Sequence, residues 1–182
     1  QIETYLYNYI YFKKGVEMIL HCTKKMIKTY DLTIRENINS DVKLGNWYAN
    51  LIYIDGKKCI LLTESETLYS LLLPNFKKGD IKNIESIFKN RLKEALSRIN
   101  IRQEQIENLV DRLERLKYTT TQSRSILGSM KEYAFQYKAW IADLGGLRKC
   151  NIDNLIQNAN NLIMGAIDYN SGTEELKKVI EQ

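Results

Sequence analysis

The densest concentration of groups able to hold an anion is Thr119-Thr120-Thr121-Gln122-Ser123-Arg124-Ser125, small hydroxyls and one arginine immediately ahead of a helix-forming stretch. Free backbone N–H groups and the positive end of a helix dipole favour a phosphate or carboxylate at such a place, and a guanidinium adds a bidentate contact. Thr121, Ser123, Arg124 and Ser125 are therefore the first candidates for a ligand or anion site, with ordinary helix capping as the competing use. Asn50 joins them because it stands on an otherwise apolar strand face. A buried amide needs partners, which here are either the loop backbone from Asp41 to Gly45 or a ligand. His21 beside Cys22 offers the types of a base and a nucleophile. Adjacent strand residues point to opposite faces, so the two are out of mutual reach and no catalytic residue is assigned.

Metal chemistry has little support. Asp41, Glu64 and Glu66 flank the sheet ends without a ligand spacing. Cys22, Cys59 and Cys150 include no CxxC pair, and a single histidine leaves no zinc arrangement. No metal and no cofactor are expected.

Charge is the other source of chemistry. Lysine and arginine number 27 against 22 acidic residues, and of the net +5 an excess of +4 falls on residues 75–117. Lys82, Lys89, Arg91 and Lys93 are the candidates there for tracking a nucleic-acid backbone. Glu85, Glu94, Glu104, Glu107, Asp111 and Glu114 are interspersed at helix-pair spacing, which favours intrahelical ion pairs over a uniform patch.

The elements that must position these groups are legible from pattern. Asp55-Gly56 between two apolar runs predicts a two-residue hairpin. With Ile54 opposite Lys57, the pairs Ile52/Cys59 and Asn50/Leu61 share one face, and Tyr53/Lys58, Leu51/Ile60, Ala49/Leu62 and Trp47/Glu64 share the other. Leu68 to Leu73 is almost continuously apolar, as for an interior strand covered on both sides, and Ile19 to Cys22 reads as a short strand with Thr23 capping a helix after it. After Pro74 the period becomes helical. Helices are expected from Asp80 to Ile99, Arg102 to Lys117, Thr121 or Ser123 to Gly145-Gly146, Asp153 to Ala166 and Thr173 to Ile180, the first two an antiparallel pair broken at Asn100. Gly128 sits in an early turn of the third, where close approach of another backbone would offset its poor helix propensity, about 1 kcal/mol relative to alanine. Strands before residue 74 and helices after it indicate an α+β domain: a small antiparallel sheet packed by four to five helices.

At 182 residues, 44% hydrophobic and 27% charged, the chain fits one soluble globular domain spanning 18–182. No apolar run approaches the about 20 residues of a membrane helix, and the widely separated cysteines suit reduced thiols in the cytoplasm. The aromatic-rich residues 1–17 read as an extension or arm outside the domain, with Met18 as a natural start and self-association through Tyr5, Tyr7, Tyr9 and Tyr11 as its functional use.

Four segments together resemble an uncharacterised bacterial domain family of unknown function: Met18-Ile19-Leu20-His21-Cys22-Thr23-Lys24-Lys25, Gly45-Asn46-Trp47-Tyr48-Ala49-Asn50-Leu51, Ser123-Arg124-Ser125-Ile126-Leu127-Gly128-Ser129-Met130 and Leu162-Ile163-Met164-Gly165-Ala166. The resemblance covers residues 18–180 and implies no activity. The leading expectation is a non-enzymatic module for a protein or nucleic-acid partner. The alternative is an enzyme acting on a phosphorylated or nucleotide substrate, with its anion site at Ser123, Arg124 and Ser125.

Overall fold

Asp55 and Gly56 take φ values of 50° and 69°, the left-handed pair that a two-residue hairpin demands, and join β2 (Asn46–Ile54) to β3 (Lys57–Glu64). The register is the one that turn dictates, from Ile54 opposite Lys57 to Trp47 opposite Glu64. The structure, a computed structural model, describes residues 16–181. The arm expected over residues 1–17 lies outside them except for Val16 and Glu17, which begin β1 (Val16–Cys22).

Five strands form one sheet in the order β4-β3-β2-β1-β5, with β4 at Ser70–Leu73 and β5 at Leu113–Thr120. The fold is α+β, but the sheet is mixed, not antiparallel. β1 lies between two parallel neighbours, pairing Leu20 with Trp47 on one side and with Tyr118 on the other. This corrects the helix expected to run to Lys117. The helix α3 (Gln103–Arg112) ends at Arg112, and the chain continues as a strand whose partner lies about a hundred residues earlier.

β4 is also corrected, from an interior strand to an edge strand. All four of its residues are buried because both faces are covered, and its open edge is closed by a side chain. Asn160, fully buried, accepts from Ser70 N at 2.6 Å and donates to Ser70 O at 2.8 Å, so an amide replaces the missing strand.

Helices cover both faces. α1 (Lys24–Tyr30) and α2 (Ile84–Ser97) lie on the face of Trp47, which meets Phe88 edge-on at 4.9 Å. α4 (Arg124–Asp143) packs on the Tyr48 face, burying Met130, Tyr133, Tyr137 and Ile141. Ser123 caps α4, accepting from Ile126 N at 3.3 Å, and Gly145 and Gly146 end it at φ 84° and 106°. α2 and α3 pack together around Asn100, itself at φ 62°. α5 (Ile152–Asn160) carries Asn160 to the β4 edge and stops there, short of the expected Ala166. A small pair, β6 (Ile163–Met164) and β7 (Asn170–Ser171), leads into α6 (Gly172–Glu181). No backbone approaches Gly128, since an added Cβ would meet nothing within 4 Å, so the close approach expected there is absent.

Candidate functional site

The polar residues singled out by type fall into one neighbourhood, where parallel β1 and β5 end and α4 begins. His21 stacks on Tyr48, with ring centroids 4.7 Å apart and planes within 8°. Its Nε2 lies 3.3 Å from Asn46 Oδ1, which also accepts from Ser40 N at 2.8 Å, while Asn46 Nδ2 donates to Ser40 O at 2.7 Å. The Tyr48 hydroxyl accepts from Ser123 N at 3.1 Å. The groups face one another, and they fasten a loop and a helix start to the sheet.

Burial lowers the pKa of His21 below 6.5, opposed by the hydrogen bond to Asn46 and by the Thr120 backbone, so the ring is neutral at physiological pH. The Thr119 hydroxyl is buried without a hydrogen-bond partner among the described residues. Cys22 donates to Leu20 O at 3.5 Å, and burial pushes its thiol up to about 12, leaving no thiolate for nucleophilic work. Asn50 accepts from the Thr23 hydroxyl at 3.1 Å, and it is Asn46 that holds the loop preceding β2. At the start of α4, Ser123 is occupied by its cap, Ser125 and Arg124 are exposed, and Thr121 is half-buried. The three clefts described in the molecule, of about 370, 560 and 420 Å³, are lined by residues other than His21, Asn50 and Arg124.

The acidic residues are equally occupied or dispersed. Glu64 is buried, and its Oε2 accepts from Glu66 N, Thr67 N and the Thr67 hydroxyl at 2.9, 2.7 and 2.8 Å, closing the turn between β3 and β4. Burial raises its pKa above 4.5, opposed by those same donors. Asp41 and Glu66 are exposed, and among the described residues no three His, Cys, Asp or Glu side chains converge.

The basic helices are largely neutralised. Lys89 pairs with Glu85 at 3.0 Å, Lys93 with Asp111 at 2.6 Å, and Arg91 with both Glu94 and Asp153 at 3.2 and 2.6 Å. Arg98 reaches the second oxygen of Asp153 at 2.8 Å. Only Lys82 of the four candidates is exposed without an ion pair among the described residues.

Free positive charge collects elsewhere, around the cleft of about 560 Å³ at the hairpin tip. Lys57, Lys58, Lys77, Lys78 and Arg148 line it beside Phe76, and none of the five makes an ion pair among the described residues. Antiparallel pairing of β3 with β4 explains the assembly. Lys57-Lys58 opens β3 and Lys77-Lys78 follows the end of β4, so the two pairs reach the same end of the sheet. Arg148 comes from the turn after α4, which is fixed to the tip by Leu147 N donating to Asp55 Oδ2 at 3.2 Å. Two neighbouring carboxylates face backbone: Asp55, at the tip, accepts from Leu147 N, and Asp80, three residues from Lys77, accepts from Lys77 N at 2.7 Å. Sequence reading passed over Lys57, Lys58 and Arg148, although two Lys-Lys pairs at the same end of a predicted meander were the signal available.

No helix of the described residues is long and apolar enough to cross a membrane. Comparison with curated proteins and with solved structures finds no match. The sequence pattern of one family does match, over residues 19–175, and the chain belongs to that family, the domain of unknown function DUF6933.

Proposed function

We propose that this domain is a non-enzymatic binding module that holds a nucleic-acid partner by its phosphate backbone in the cleft at the hairpin tip. The observation that carries the reading is the contrast in pairing: among the described residues five cations surround one cleft without a carboxylate partner, while those of α2 are tied into ion pairs. Unpaired ammonium and guanidinium groups are the ones free to replace counterions on a polyanion. The closed packing around His21 and the capping role of Ser123 give the enzyme reading no comparable support.

The test is fluorescence anisotropy of the full chain with a labelled nucleic acid at about 50 and 200 mM salt, where phosphate contacts produce a steep loss of affinity. Combined Lys57→Glu, Lys58→Glu and Lys77→Glu substitutions should remove most binding and flatten the slope of log K against log salt by about three contacts. Lys89→Glu should leave the slope near that of the parent. Equal slopes for the parent and the triple variant would refute the proposal.

A further inference from the structure

We infer that the nucleic acid is single-stranded and that Tyr53 is the platform on which one of its bases stacks, an inference that rests on the cleft reading above. Along the face shared by Trp47, Ala49, Leu51 and Tyr53, the first three side chains are buried and the fourth emerges, 45% exposed. Tyr53 stands directly across from Lys58 in the β2–β3 register, so the ring adjoins one of the cations of the cleft. Lys25 Nζ lies over the ring, 4.3 Å from its centroid, so a base stacking on that face would displace it.

An exposed aromatic among unpaired cations is the arrangement that single strands use. Their bases are unstacked and available to a ring, while their phosphates lie within reach of lysine. Duplex readout instead requires a helix or a free two-stranded ribbon to enter a groove. The hairpin tip is the ribbon nearest the cations, and it is held back by the Asp55–Leu147 hydrogen bond against the turn after α4. A carboxylate-rich peptide would answer the cations but has no use for the ring.

The experiment is anisotropy with the full chain, using a labelled oligothymidine of roughly 15 nucleotides, matching the span of a single-strand site. A duplex of equal length and polyglutamate serve as competitors. Oligothymidine should bind more tightly than the duplex, and polyglutamate should compete poorly. Tyr53→Leu, which keeps apolar bulk without a π face, should weaken oligothymidine binding about tenfold, with an unchanged salt slope, and Tyr53→Phe should restore it. Thermal unfolding of both variants, matched to the parent, ties the loss to stacking. Equal affinity for duplex and single strand with no effect of Tyr53→Leu overturns this inference and leaves the cleft reading standing. Insensitivity to the lysine reversals described above overturns both.

Discussion

About 20 Å along β2, at roughly 3.3 Å per residue, separates two polar regions that are built in opposite senses. Around Tyr48, an imidazole, an amide, hydroxyls and a helix cap turn toward one another and toward backbone. Beyond Ile54, five cationic heads turn toward a cleft and meet no carboxylate among the described residues. The first region has the residue types associated with catalysis, and the second has only lysines and an arginine beside a turn. The difference teaches that chemical type marks where polar groups are needed, whereas commitment to partners decides whether they are free to act on another molecule. Internally satisfied groups stabilise the fold, and unsatisfied surface charge is held ready for a ligand.

If that division is correct, removing a committed group should cost stability and leave binding alone. The largest effect is expected at Asn160, which satisfies both the N–H and the C=O of Ser70 on the edge strand. Asn160→Ala leaves two buried backbone groups without partners and should lower the free energy of unfolding by about 3 kcal/mol, read from urea denaturation. The folded fraction should bind oligothymidine with parental affinity. A loss well under 1 kcal/mol would show that the amide is not what closes the sheet edge.

A smaller effect, and a conditional one, is expected from His21, the only histidine in the chain. Its pKa is lowered in the folded state from 6.5, chiefly by burial. Above 6.5 neither state binds the proton, and the full contribution of the packed neutral ring is present. As pH falls below 6.5 the unfolded chain takes up a proton that the native ring resists, so stability is lost between 6.5 and the lowered native value. The slope there is at most about 1.4 kcal/mol per pH unit. His21→Gln should flatten this part of the profile. Glu64 contributes with the opposite sign, because its raised pKa lets the native state bind a proton first as pH falls toward 4.5. Comparing parent and variant across the same range isolates the histidine. An unchanged profile would mean that the ring is not held neutral by its packing.

How much of this could be read from the residues depends on how far each determinant reaches along the chain. The hairpin register was legible because Asp55-Gly56 fixes it locally, and so was a cap at Thr121 or Ser123, of which Ser123 lies three residues from the amide it serves. The change from α3 to β5 was not. Ile106, Val110 and Leu113 continue a helical stripe, and only pairing of Val16 with Leu113 and of Leu20 with Tyr118 converts the sequel to a strand. The run from Tyr118 to Thr121 carries β-favouring residues, but its hydroxyls read equally well as a cap. Recognition of the basic site failed for the same reason. A lysine paired with a carboxylate looks like a free one until the partner is located, and Lys93 finds Asp111 across the α2–α3 turn, while Arg91 finds Asp153 62 positions away. Lys57 and Lys78 find none among the described residues.

The smallest expected effect is the one that separates the two regions most sharply, because its sign is reversed. Five like charges around one cleft repel one another, so the cleft should carry a small cost to stability that a bound polyanion relieves. Lys57→Gln combined with Lys78→Gln removes part of that repulsion without deleting a described ion pair. The variant should unfold at slightly higher denaturant than the parent at low salt, by about 0.5 kcal/mol or less for such exposed groups. Near 1 M salt, where charges are screened beyond about 3 Å, the difference should vanish. Affinity for oligothymidine should fall in the same variant. Stability and affinity falling together would place these lysines with Asn160 and His21, as parts of the scaffold, whereas a gain in one against a loss in the other identifies charge that the fold tolerates for the sake of its partner.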